Sequence, residues 1–314
     1  MNEAANVGLA VIHIALLVAL APGLSGVIKR MKAVLQGRRG PPVLQPYFDL
    51  LKLLRKDAVV SEHATAIFRW APAVYAGCIA TAALLVPVLW STAPLAAWGD
   101  AIVLVGLFAL ARFMLALAGL DTGSAFGGMG SSREVAVAAL AEPALLLVLF
   151  AVAWRTGGSD LSGASSWIIA DGVAAFAPSQ LLALVALVIV VIAETGRVPV
   201  DNPDTHLELT MIHEGMLLEY SGRPLGILVW ASLLKQIVLF ALVVALFFPF
   251  GIAATPSELP VALGAFVLKL GALAVVMSLV ESSTAKLRIL RVPELLGAAS
   301  ALAMLALVAE VVVG

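Results

Sequence analysis

Apolar residues run along this chain in blocks close to twenty residues long, with the polar residues gathered between them. The blocks fall at 5–28, 66–90, 100–118, 134–154, 179–195, 225–249, 260–281 and 293–313. About 20 consecutive apolar residues is the length an α-helix needs to cross a bilayer core. The alternating apolar and polar residues of a transmembrane β-barrel strand are not seen. The pattern therefore predicts an all-α polytopic membrane protein with about eight transmembrane helices, forming one integral membrane domain over 1–314. The first block is too long for a signal-peptide core and follows acidic Glu3 rather than lysines, so it reads as a retained helix.

One segment between the first two blocks keeps a different rhythm. Tyr47, Leu50, Leu51 and Leu54 form one stripe, and Gln45, Asp49, Lys52 and Lys56 the other. That spacing predicts an amphipathic helix over Gln45–Lys56, lying on the membrane surface or under a partner protein.

Composition agrees with a bilayer setting: 62% of residues are hydrophobic, 12% are charged, and the mean hydropathy is +1.06. Basic residues concentrate in the loops 29–65, 119–133, 196–224 and 282–292, which an eight-span topology puts on one side. The loops of the other side have Arg155 alone. The bias predicts a cytoplasmic face for the basic loops and an outside position for both termini, in a prokaryotic inner membrane. Cys78 is the single cysteine and lies in the second span, so the chain by itself cannot ligate an iron–sulfur cluster or close a disulfide. His206 and His213 are seven residues apart, and His13 and His63 are isolated, so no metal spacing is present. There is no dinucleotide glycine fingerprint, and nothing points to nucleic acid. No internal repeat supports the rival reading of an autonomous secondary transporter.

Charge is scarce here, so its placement is informative. The run from Glu194 to Gly222 holds six carboxylates (Glu194, Asp201, Asp204, Glu208, Glu214, Glu219), two histidines and Arg197. Asn202 can cap a helix beginning at Pro203, with Asp204 at its positive end and Asp204, Glu208 and Glu219 on one face. Clustered carboxylates raise one another's pKa values and titrate as a group, which suits proton storage or relay. The plainer reading is a solvated loop paired with nearby basic residues. Inside the apolar blocks lie Arg112, Glu142, Lys235, Lys269 and Glu281. A charge at the bilayer centre costs at least about 2.5–3.5 kcal/mol, so each must face the bundle interior and find a partner. Mutual neutralisation, Glu142 with Arg112 or a lysine, would satisfy them, and so would a proton path. Glu310 and His13 read as interfacial or packing residues. The glycine-rich segment Asp121–Glu134 lacks the strand and lysine of a phosphate loop and reads as a tight connector packed on another subunit.

Several of these segments resemble a known family. They are Gly37-Arg-Arg-Gly-Pro41, Phe68-Arg69 with Pro72, Leu120-Asp-Thr-Gly-Ser124 with Ser132-Arg-Glu134, Glu194 through Gly222, Lys235-Gln236, Lys269, and Glu281 with Lys286 and Arg288. Together they are similar to the membrane subunit shared by complex I (its subunit 1) and the group 4 membrane-bound [NiFe] hydrogenases, where it is called formate hydrogenlyase subunit 4 or hydrogenase-4 component C. Asp-Thr-Gly-Ser, Glu214-Gly215 and Lys235-Gln236 lean toward the hydrogenase branch. His206 stands where the family usually has glutamate, and the Glu208–Glu219 interval is about three residues longer than in formate hydrogenlyase.

The resemblance implies a non-catalytic anchor that itself binds no cofactor. Its partners would be an Fe-S small subunit and a NiFe-type large subunit on the cytoplasmic side, antiporter-like membrane subunits, and lipid. It also implies a proton relay through Glu194, Asp201, Asp204, Glu208, Glu214 and Glu219, continued by Glu142, Lys235, Lys269 and Glu281. Arg197 and Arg112 would orient or neutralise the carboxylates. Arg38, Arg39, Asp121, Arg133 and Glu134 would contact partner subunits. The alternative within the family is a quinone-chamber subunit of a complex I-type NADH dehydrogenase.

Overall fold

The structure, a computed structural model, describes residues 3–172, 177–202, 211–253 and 255–313. Its helices are α1 (Glu3–Leu35), α2 (Gln45–Arg55), α3 (Ala66–Leu85), α4 (Ala101–Asp121), α5 (Ala125–Thr156), α6 (Leu161–Asp171), α7 (Pro178–Glu194), α8 (Gly222–Phe247), α9 (Leu259–Ser283) and α10 (Val292–Val313). Among the described residues seven helices are long and apolar enough to cross a membrane, with α7 a shorter apolar one. Each predicted block corresponds to one helix.

α8 is the centre of the bundle. Residues 234–247 are buried without a break, because α8 is apolar on every side and is surrounded by α1, α2, α3, α6 and α7. α10 packs on α5 and α7, α3 on α4, and α9 on α1, which puts α9 and α10 at the margins of the fold.

The amphipathic segment is α2, as its spacing predicts, and it lies across the start of α8. There Leu53 and Leu54 close on Gly226, where an added Cβ would meet them at 3.2 Å. Leu50 faces inward, while Leu51 and Leu54 of the same stripe are exposed.

Two segments depart from expectation. The glycine-rich connector is mostly helix: α5 starts at Ala125, capped by the Ser124 hydroxyl accepting from Gly127 N–H at 3.0 Å. Its glycines serve close packing within this chain. A Cβ on Gly127 would lie 2.3 Å from the Gly119 carbonyl oxygen of α4, and one on Gly130 would lie 3.0 Å from Gly215 and Met216 backbone atoms. The second departure is α6, an unforeseen helix started by Asp160, whose carboxylate accepts from Ser162 and Gly163 N–H at 3.3 and 2.6 Å.

Candidate functional site

α7 has only 17 residues, and its last residue is Glu194. Glu194 pairs with Lys235, which is thirteen residues into α8 and so about 20 Å along that helix. The chain after α7 therefore enters the bundle instead of projecting from it. Val198, Val200, Met211, Ile212, Met216 and Tyr220 are buried with it, as are Arg197 and Asp201. The described parts of the acidic segment, 194–202 and 211–222, pack into the bundle and are not a solvated loop.

Two charge clusters follow. In the first, the Arg112 guanidinium on α4 meets three carboxylates with its three nitrogens. Nε is 3.3 Å from Glu134, Nη1 is 2.5 Å from Glu142, and Nη2 donates to Glu194. The planar fork of arginine suits this, since a lysine offers only one point charge. Lys235 adds a second cation, its Nζ 2.7 Å from Glu194. Pairing of Arg112 with Glu142 is one of the two outcomes the sequence allows. Glu194 and Glu134 as further partners depend on the tertiary fold.

The second cluster is closer to the α2 end of the bundle. Glu281 on α9 takes Arg197 at 3.0 Å and Lys32 of α1 at 3.1 Å, and the other Arg197 nitrogen donates to Gln236 Oε1 at 2.9 Å. Asp201 is 2.8 Å from Lys286 and accepts from the N–H groups of Asn202 and Ile212 at 2.8 and 3.1 Å. Among the described residues the first cluster has three carboxylates to two cations.

A cavity adjoins each cluster. The first, of about 40 Å³, is lined by Glu134, Glu194, Lys235 and Tyr75 among others. The second, of about 190 Å³, reaches Lys29, Lys32, Arg197, Gln236, Glu214 and Glu281. Thr195, Gly196, Asp201, His213 and Ser232 line both and form the partition. Gly196 takes a positive φ of 58° just past the end of α7, and its open side faces the His213 Cβ. His213 Nε2 is 3.1 Å from Ser232 Oγ. Burial holds the His213 pKa below the ordinary 6.5, with the Glu134 charge acting in the other direction. Sequence reasoning left His213 out of the relay, because a lone histidine gives no local signal.

The remaining expected residues divide. Asp204, Glu208 and the expected Asn202-capped helix at 203–210 lie outside the described residues, as does His206. Glu214 opens a single 3-10 turn, Glu214–Leu217, and Glu219 lines neither cavity. Lys269 does not join either cluster: its Nζ donates to the Phe250 carbonyl at the opposite end of the bundle. Asp121 caps α3 within the chain, accepting from Thr65 N–H and hydroxyl at 2.7 Å each. Arg133 donates to the Met211 carbonyl at 2.9 Å, while Arg38 and Arg39 are exposed. Tyr220 stacks on Phe68 at 3.9 Å and donates to its carbonyl at 2.8 Å. Glu310 is buried and bonded to Ser179, Gln180 and Arg155, which ties α10 to α7 and α5.

A helical bundle of membrane length, closed around paired buried charges, defines a multi-pass membrane protein. The chain belongs to the NADH dehydrogenase family, which it matches over residues 7–313. It is 39% identical over 298 residues to formate hydrogenlyase subunit 4 of Escherichia coli strain K12, covering 93% of this chain and 94% of that one. Hydrogenase-4 component C of the same organism is 36% identical over 236 residues, 75% and 73% of the two chains. An NADH-quinone oxidoreductase subunit of Syntrophobacter fumaroxidans is 31% identical over 260 residues, 75% and 74% of the two. A solved structure of a membrane-bound sulfane sulfur reductase, an archaeal respiratory membrane complex, superposes with a TM-score of 0.85 at 21% identity, covering 96% of this chain and 98% of that chain. That likeness concerns the fold alone.

Proposed function

We propose that this chain is the membrane-anchor and proton-coupling subunit of a hydrogenase-like energy-converting complex of the formate hydrogenlyase or hydrogenase-4 type. Its basic loops and α2 would face the cytoplasm of a prokaryotic cell and seat an Fe-S small subunit and a NiFe-type large subunit. Antiporter-like membrane subunits would adjoin it within the bilayer. The observation that carries the reading is the line Glu142–Arg112–Glu194–Lys235, which ends at a cavity lined by Glu134, Asp201, His213 and Ser232. A purely structural ion pair needs two groups, whereas this line joins four helices and a cavity with titratable walls.

The chemistry such a line supports is proton movement driven by charge. Three carboxylates beside two cations leave one negative charge in excess, so a proton arriving there is stabilised. A redox change on the α2 side shifts the potential across both clusters and biases which one holds that proton. The test replaces Glu194 or Glu142 by Gln in the assembled complex. Proton movement is expected to uncouple from the redox reaction while assembly is kept, and unchanged pumping in both variants would remove the line from the path. A native pull-down with metal analysis tests the partners: nickel with iron marks a hydrogenase, and iron without nickel marks a related or quinone-linked complex.

A further inference from the structure

The partition between the two cavities has five residues in common to both linings, and two of them carry titratable side chains, Asp201 and His213. Asp201 is held in place: Lys286 and two backbone N–H groups occupy its oxygens. His213 is not. One ring nitrogen faces Ser232, and Nδ1 takes no hydrogen bond among the described residues. Ser232 lines the first cavity together with Tyr75, and it lies three residues, one helical turn, before Lys235 on α8.

We propose that His213 is the group that passes protons between the two cavities, with the Ser232 hydroxyl as its neighbour on the inner side. This deepens the coupling reading above and rests on it. Nδ1 accepts a proton from water in the second cavity while Nε2–H gives its own proton to Ser232 Oγ. The serine releases its hydroxyl proton to water in the first cavity, beside Glu194 and Lys235. No bond other than these N–H and O–H bonds changes; the ring then turns so that Nδ1–H faces the serine and Nε2 the second cavity, and the next transfer restores the starting tautomer. A neutral imidazole is suited to this, because it accepts at one nitrogen and donates at the other.

The charges around it set the direction. Glu134 from α5, Glu194 from α7, Lys235 from α8 and Arg112 from α4 face it across the first cavity. Lys29 and Lys32 from α1, Arg197 and Asp201 from its own loop, Glu214 beside it, and Glu281 from α9 face it across the second. With Glu142 behind Arg112, the inner group has three carboxylates to two cations, so a proton crossing inward moves toward negative charge.

The test uses the assembled complex in inverted membrane vesicles and reads protons moved per electron pair beside redox turnover. His213→Gln keeps a polar group facing Ser232 but cannot relay. It is expected to lower that ratio at least about tenfold with assembly intact, where a positioned acid–base group typically contributes ~10²–10⁴-fold. His213→Ala is expected to lose pumping as well and to regain it with added free imidazole, which a packing role would not produce. If His213→Gln pumps normally while Glu194→Gln does not, the inference falls and the coupling reading stands. If both pump normally, both fall. Should the histidine variants fail to assemble, Ser232→Ala decides, because it keeps the ring and deletes the hydroxyl. Lost pumping with normal turnover then supports the transfer, and unchanged pumping overturns it.

Discussion

Removing Arg112 tests whether the first cluster is one coupled unit. The guanidinium is 5% exposed and is shared by Glu134, Glu142 and Glu194. Arg112→Met keeps the volume and deletes the charge, leaving three carboxylates with Lys235 alone. Taking one partner from a buried ion pair costs about 3–5 kcal/mol, because the other charge is left without compensation. Two features lower the figure here: Glu142 is half-buried and can be solvated, and Glu194 keeps its 2.7 Å contact to Lys235. A loss of about 3 kcal/mol is expected, measured by equilibrium unfolding in mixed detergent micelles. Adding Glu194→Gln removes the most enclosed carboxylate along with its partner. The double variant is expected to be more stable than the sum of the single losses implies, by about 1–3 kcal/mol, as for residues sharing one network. Arg112→Lys is expected between wild type and Met, since one ammonium cannot reach carboxylates on α5 and α7 together. If Arg112→Met unfolds within about 1 kcal/mol of wild type, or if the two losses simply add, the hub is not a unit and the reasoning fails.

Other consequences can be checked separately. Because the folded state holds the His213 pKa below 6.5, the unfolded chain takes up the proton first as pH falls. Stability is therefore expected to be flat above about pH 6.5 and to decline below it, and His213→Gln is expected to remove that part of the slope in unfolding curves taken across pH. Gly127→Ala places a Cβ 2.3 Å from the Gly119 carbonyl oxygen and is expected to destabilise by about 1–3 kcal/mol. Gly128→Ala, one residue on in the same helix with nothing within 4 Å, is expected to stabilise by about 0.5–1 kcal/mol. Equal effects of these two in thermal unfolding would contradict the close packing of α4 on α5. Tyr220→Phe is expected to cost about 1 kcal/mol by losing the bond to the Phe68 carbonyl while keeping the stack, and no change would count against that bond.

The helices were readable because lipid imposes a length: twenty apolar residues in a row have few other uses, and each block became a helix. The interruptions were harder, because a residue type says less where tertiary contact decides. Gly127 and Gly130 look like loop residues, yet they sit in α5 because α4 and the turn after His213 approach too closely for a side chain. α6 is short and flanked by Gly and Ser, and the Asp160 cap was its one local sign. Arg112 and Glu142 could be paired in advance, since lipid forces buried charges together, but nothing local tells Glu194 from Glu281 as the third partner. Lys235 and Lys269 look alike in sequence and part in the structure, one in the cluster midway along α8 and one on the Phe250 carbonyl beyond its end.

The acidic run stands out in the sequence by its excess of negative charge, and the structure changes what that excess means. Glu194, Asp201 and their partners are buried, so water cannot screen them, and each carboxylate must be answered by a cation within a few ångströms. Among the described residues the balance is uneven around Arg112, where three carboxylates share two cations. A designless packing of ion pairs would neutralise each locality, because every uncompensated charge in a low-dielectric interior is costly. Keeping a carboxylate excess on one side of a titratable histidine holds a field across the partition. That field is strong where the dielectric is low, and a single proton crossing the partition inward is enough to cancel the excess.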